Sequence, residues 1–385
     1  MAAQAAKGVA MMSTRQAFAM RMNRCAVRWC GVGALLLLAA CGGGDDDNNG
    51  MSGYAVTNLV TDTNTSSNPY ATSNVDTHLV NPWGIAFNPQ GFVWVANNAT
   101  STSTLYDGNG MAQSLIVAIP AGTAGPGKPT GIVYNGTQSF VVSQGGLSGA
   151  SRFVFAGESG TIAAWSPNVD LNNAIKVYDG ASAGSIYKGL AIGSASGADR
   201  LFAADFHNAA VDTFDATFAK ISAAGGFTDP NLPSGYAPFG VQVISGVVYV
   251  TYAKQDADAE DDVKGAGLGL VNTFDTAGHF LKRLITTGGA LNAPWGVAMA
   301  PSNFGKFSGA LLIGNFGDGR INAYDASTGA LMGPLTKTDG NPIVVDGLWG
   351  IAFGNGINGQ PTNTLFFAAG PADEAHGVYG RIDVR

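Results

Sequence analysis

Acids, amides and histidines recur at one kind of place in this sequence, just beyond short apolar runs. Asn97, Glu158, Asp205 and Asn315 all stand there, with His207 close behind Asp205 and His376 in the run Asp373-Glu374-Ala375-His376. Carboxylate and amide oxygens are the ligands a hard cation takes, so Asn97, Glu158, Asp205 and Asn315 are candidate Ca²⁺ ligands. The same residue types also end strands by accepting hydrogen bonds from nearby backbone N–H groups, and the sequence leaves both readings open. Asp256, Asp258, Glu260, Asp261 and Asp262 make a second candidate Ca²⁺ loop, since alternate acids on an extended segment can present oxygens to one point. That loop lacks the Gly and the distal Glu of an EF-hand, and a solvated charge run is the plainer alternative. His207 and His376 could serve as general base or ligand, or as hydrogen-bonded loop residues. No metalloprotease helix, phosphate-binding loop or nucleophile elbow is present.

The elements that must position these residues are visible as a repeat. A bulky or polar residue, then Gly, then an apolar run appears at Trp83-Gly84, Thr130-Gly131, Lys188-Gly189, Phe239-Gly240, Trp295-Gly296 and Trp349-Gly350. The Gly-to-Gly spacings are 47, 58, 51, 56 and 54 residues, in the range of propeller blades. Each unit continues with further short runs of β-branched and aromatic residues punctuated by Gly, Asn and Asp, which are strand and turn signals. The pattern predicts an all-β fold, a six-bladed β-propeller of four-stranded units. The last unit ends after three strands, while Tyr54–Val60 is an orphan strand. Pairing it with 377–384 as the outermost strand closes the ring and covers an exposed edge. The geometry of a blade puts Trp83, Trp295, Trp349, His207 and His376 on one rim, where ligand sites form. The three tryptophans either cluster around one mouth as a binding face or pack between blades.

Composition agrees. Gly is 55 of 385 residues, one in seven, charged residues are 12 % and hydrophobic residues 46 %, which suits many tight turns around a large core and excludes a coiled coil. Of 20 basic residues five lie within 1–40, leaving 15 against 27 acids. A body that acidic has no electrostatic footprint for nucleic acid. Cys25, Cys30 and Cys41 all precede the repeat, so the propeller body has neither disulfide nor Cys nucleophile.

Arg21, Arg24 and Arg28 followed by the apolar run Gly31–Ala40 read as a secretory signal, and the run is too short to span a ~30 Å bilayer core. Leu38-Ala39-Ala40-Cys41 resembles a bacterial lipobox, which implies acylation of Cys41, a membrane partner through that lipid, and a bacterial cell-envelope location, outer membrane favoured. The resulting segments are a signal at 1–40, a Gly/Asp/Asn tether at 41–53 and the propeller at 54–385.

Val80–Phe87 with Trp94-Val-Ala-Asn-Asn98, Glu158-x-Gly160-Thr-Ile162, and Tyr252–Asp258 running on to Asp261-Asp262-Val263 resemble NHL-like six-bladed propellers, and more closely an uncharacterised bacterial family of secreted propellers. That resemblance implies fold and export, and no activity. Lactonase-type propellers use Glu, Asn and Asp on the channel axis, to which Glu158, Asn97, Asp205 and Asn315 correspond in residue type. The expected function is a monomeric ligand-binding or interaction module for a small molecule, glycan or protein. The alternatives are a metal-dependent hydrolase or lactonase and a structural envelope protein.

Overall fold

The computed structural model describes residues 53–65 and 68–385; Cys41 and the expected signal lie outside the described residues. Within them the short apolar runs pair as six four-stranded antiparallel sheets plus one two-stranded hairpin. Blade 1 is Pro82–Phe87, Val93–Asn97, Thr102–Tyr106 and Val117–Ala118. Blade 2 is Pro129–Tyr134, Phe153–Gly157, Thr161–Trp165 and Ile175–Asp179, with the hairpin Val141–Gln144 and Leu147–Ala150 inserted after its first strand. Blades 3, 4 and 5 begin at Tyr187, Tyr236 and Pro294 and follow the same order. Blade 6 is Leu348–Phe353, Leu365–Ala369, Val378–Val384 and, outermost, Tyr54–Thr61.

That last strand is the predicted closure. Tyr54 pairs with Val384 and Thr61 with Val378, so the edge that would be left open on the final blade is covered from the other end of the propeller. The Tyr54 hydroxyl donates to the Phe304 carbonyl at 2.9 Å, tying the closing strand to blade 5 as well.

The inner strands carry the repeated phrase, and the structure explains it. In every blade the first strand shifts register at this step, between Pro82 and Ile85, Pro129 and Ile132, Tyr187 and Gly189, Pro238 and Gly240, Pro294 and Val297, and Leu348 and Ile351. A bulge re-aims a side chain out of the pleat, and here it turns Trp83, Lys188, Phe239, Trp295 and Trp349 toward one another at the channel. The Gly itself faces the next blade. A Cβ on Gly240 would stand 2.1 Å from the Trp295 carbonyl oxygen, and one on Gly350 2.5 Å from that of Trp83, which is the contact that closes the ring. Between the sheets lie aromatic and aliphatic clusters, such as Phe202, Phe227, Tyr252 and Phe274 between blades 3 and 4.

Because the carbonyl facing Gly240 belongs to a bulged strand with its own partners, it cannot recede. Gly240→Ala is expected to destabilise the fold by about 3 kcal/mol. Gly289→Ala, where nothing lies within 4 Å of the added Cβ, is expected to be near neutral. Urea denaturation of the two variants side by side measures this.

Candidate functional site

The bulges converge on the axis. Trp83, Trp295 and Trp349 meet there, with Trp83 stacked on Trp349 at 3.4 Å between ring centroids and Trp295 edge-on to both at 6.0 and 5.8 Å. Phe316 stacks on the far side of Trp349 at 3.8 Å. The three tryptophans cluster as the repeat requires, but as a plug rather than an open face, exposed by only 2, 9 and 1 %. The indole N–H of Trp349 donates to Asn81 Oδ1 at 3.1 Å and that of Trp295 to the Lys188 carbonyl at 2.8 Å. They are floor, not rim.

Lys188 occupies the equivalent position in blade 3 and is the one charged residue in the ring. Its side chain is 3 % exposed, and its ammonium lies 2.5 Å from Glu158 Oε1, 2.9 Å from Asp261 Oδ1 and 5.4 Å from the centre of the Trp83 ring. Burial works against the charge, but the two carboxylates outweigh it and hold the Lys188 pKa up at about 12. Burial likewise raises Glu158, and the Lys188 ammonium with the amide of Asn98 overcomes that, so Glu158 ends below its ordinary range. Asn98 Nδ2 donates to Glu158 Oε2 at 2.9 Å. This buried pair had no sequence signal beyond a lysine standing where the repeat elsewhere places an uncharged residue.

The acidic loop does not enclose a single point. Gln255 anchors it by donating to the Phe206 carbonyl at 2.7 Å, and Asp256 accepts from the Glu260 N–H at 3.0 Å. Asp258 and Glu260 stay in solvent. Asp261 reaches down to Lys188, and Asp262 is turned inward, with Oδ2 buried and unpaired. Burial pushes the Asp262 carboxyl up to about 6 against the pull of Lys264 and Lys188.

Glu374 faces the same mouth from blade 6. It rides on three successive residues in the left-handed region, Ala372, Asp373 and Glu374, at φ +57°, +50° and +65°. Such residues each cost about 1 kcal/mol or more, and strain of this kind gathers at functional sites. The turn is held by Ala372 N–H to Asp346 Oδ2 at 3.0 Å and His376 N–H to the Pro371 carbonyl at 3.2 Å. Burial and the Glu158 charge raise the Glu374 carboxyl, although Asn81 donates to it at 2.8 Å.

Two adjoining clefts open over this floor. One of about 410 Å³ is lined by Lys128, Glu158, Lys188, His207, Glu260 and Asp261 among others. A smaller one of about 210 Å³ is lined by Asp261, Asp262, Lys264, Phe316, Asp373 and Glu374. His207 donates from Nδ1 to the Ala259 carbonyl at 3.3 Å, which leaves Nε2 as an acceptor beside the larger cleft. His376 lies elsewhere, its Nδ1 2.8 Å from Asp62 Oδ2.

The four amide and acid positions singled out as calcium ligands are not brought together. Asn97 donates to Thr102 and Thr104 at 3.1 and 3.0 Å, Asn315 to the Ala290 carbonyl and Asp318 at 2.9 and 3.0 Å, and Asp205 accepts from Ile186 and Asn208. Glu158 alone of the four lines the clefts. Among the described residues no group of three or more His, Cys, Asp or Glu is placed to hold a metal ion, and no helix is long and apolar enough to cross a membrane.

No protein-family model matches the chain. An uncharacterised protein of Acanthamoeba polyphaga mimivirus is 34 % identical over 319 residues, covering 80 % of this chain and 76 % of the relative. A second uncharacterised mimivirus protein is 33 % identical over 318 residues, covering 80 % and 82 %. These relatives are viral, which corrects the bacterial family expected from the repeat phrases and removes its support from the bacterial lipoprotein signal expected at Cys41. Among solved structures, virginiamycin B lyase of Staphylococcus aureus superposes with a TM-score of 0.50 at 13 % identity, covering 86 % of this chain and 99 % of its own. A Bacteroides thetaiotaomicron protein of unknown function gives 0.53 at 11 % identity, covering 87 % and 76 %. At that identity the likeness is one of propeller fold.

Two outcomes follow from the plug and the pair above it. Trp349→Ala is expected to destabilise by about 3–5 kcal/mol, and acrylamide to leave Trp83, Trp295 and Trp349 unquenched in the native protein. Lys188→Met strands a buried carboxylate and is expected to cost about 3 kcal/mol at pH 7. In the parent, Glu158 stabilises above the ordinary carboxylate range and ceases to as pH falls. In the variant its pKa rises and the folded state takes up the proton, so the deficit should shrink by pH 4 in thermal melts.

Proposed function

The chain belongs to the same family as these mimivirus proteins, and we propose that its channel mouth is a binding site for small organic cations bearing an ammonium or guanidinium group. The carrying observation is an imbalance of charge. Six carboxyls line the two clefts, Glu158, Glu260, Asp261, Asp262, Asp373 and Glu374, against three lysines, Lys128, Lys188 and Lys264. Lys188 is already engaged by Glu158 and Asp261, and Asp262 and Glu374, whose carboxyls are raised chiefly by burial, have no ion-pair partner of their own among the described residues.

The rest of the mouth suits the same ligand. Hydrogen-bond acceptors predominate, with His207 Nε2 added to the carboxylates. Phe316 stands at the smaller cleft with the Lys264 ammonium 4.2 Å from its ring centre, a position that an incoming cation can share or take over, since aromatic faces attract cations. A cleft of about 410 Å³ is of small-molecule size. The aromatic floor lowers the local dielectric, which strengthens an ion pair formed above it.

Putrescine, glutarate and Ca²⁺ are the probes. Putrescine is expected to raise the melting temperature and glutarate to leave it unchanged. Asp262→Asn and Glu374→Gln should each weaken putrescine about ten-fold, measured by calorimetry. Putrescine affinity should also fall as pH drops below about 6, where Asp262 takes up its proton. Equal shifts with glutarate, a shift with Ca²⁺ in place of the diamine, or full affinity in both variants would overturn the assignment.

A further inference from the structure

The opposite end of the propeller holds a third cleft with the reverse electrostatics. It lies between blades 1 and 2 and has a volume of about 480 Å³. The loop after Phe87, the start of the strand at Phe153 and the end of the strand at Trp165 all reach it. The intervening five-residue strands put it one strand length, about 16 Å, from the mouth. Its walls are aromatic: Trp94 stacks on Phe153 at 4.1 Å and leans on Trp165 at 4.6 Å, and Tyr134 meets Phe153 edge-on at 5.5 Å.

Arg152 is the one charged residue lining this cleft, in a protein with 27 acids. The residue is half-buried, and its guanidinium has no hydrogen-bond or ion-pair partner among the described residues. The backbone beneath it is fixed, with Arg152 N–H donating to the Trp165 carbonyl at 2.7 Å and the Arg152 carbonyl accepting from Asn135 at 2.8 Å. Gln90, exposed at the edge, adds a second donor group. A guanidinium presents paired N–H donors that match a carboxylate fork, and leaving one half-buried and unmatched forfeits that interaction. The aromatic walls would take the body of such a ligand.

We propose that the Arg152 cleft is a binding site for small aromatic carboxylates, with the carboxylate on the Arg152 guanidinium and the ring against the half-buried Phe92 and Tyr134, which the Trp94, Phe153 and Trp165 stack backs from beneath. The site is separate from the channel mouth and does not depend on what the mouth binds.

Phenylacetate and its neutral isostere phenylacetamide are the probes, titrated into the full chain by saturation-transfer NMR and calorimetry. Phenylacetate is expected to bind saturably and phenylacetamide about ten-fold more weakly. Arg152→Ala should weaken phenylacetate about ten-fold with an unchanged circular dichroism spectrum, and Arg152→Lys should recover part of that loss, because a point charge replaces a fork. Equal binding of acid and amide, undiminished binding to Arg152→Ala, or no saturable binding of phenylacetate would overturn the proposal. Should Arg152→Ala fail to fold, Arg152→Lys and the acid-to-amide ratio on the parent still decide it.

Discussion

The structure depends on how closely adjacent inner strands approach each other around the axis. At Gly240 and Gly350 the neighbouring blade's carbonyl oxygen occupies the space a Cβ would need. Glycine is therefore the only residue that allows those blades to meet at this spacing. The register shift at the same step turns the preceding residue inward. One local device, repeated six times, sets the width of the channel and decides which side chains fill it.

What fills it governs the chemistry above. Three tryptophans and three phenylalanines pack into a buried floor, and a single lysine rises through it. In water a Lys–Glu contact is worth little. Over this floor, with Lys188 3 % exposed, the same contact holds both groups ionised and fixes the insert of blade 4 across the mouth through Asp261. Burial outweighs the pull of that ammonium on Asp262 and Glu374 and raises both carboxyls. These two carboxyls and the left-handed turn that presents Glu374 mark the mouth as a place where stability has been given up.

The two ends of the propeller thus differ in kind. The mouth concentrates carboxylates and acceptors around its clefts; the Arg152 cleft at the far end sets one arginine among aromatic rings and has no acid in its lining. Propeller likeness at 11–13 % identity carries fold alone, and the mimivirus relatives are themselves uncharacterised. Function therefore has to be argued from these side chains.

The repeat phrase, its spacing and the orphan strand Tyr54–Val60 were enough to determine six blades and their closure, because strand periodicity, turn residues and the need to cover an edge are local or end-to-end properties of the chain. The meeting of Trp83, Trp295 and Trp349 was legible for the same reason: equivalent positions in a ring face one centre. Tertiary structure alone decided that they are buried, because Phe316 of blade 5 and Lys188 of blade 3 pack against them. It also decided that Asp261 reaches the Lys188 ammonium and Asp262 turns inward while Asp258 does neither, and that Asn97, Asp205 and Asn315 serve their own turns. Lys188 meets Glu158 from 30 residues away and Asp261 from 73. No spacing rule links such positions; what joins them is the angle at which one blade packs on the next.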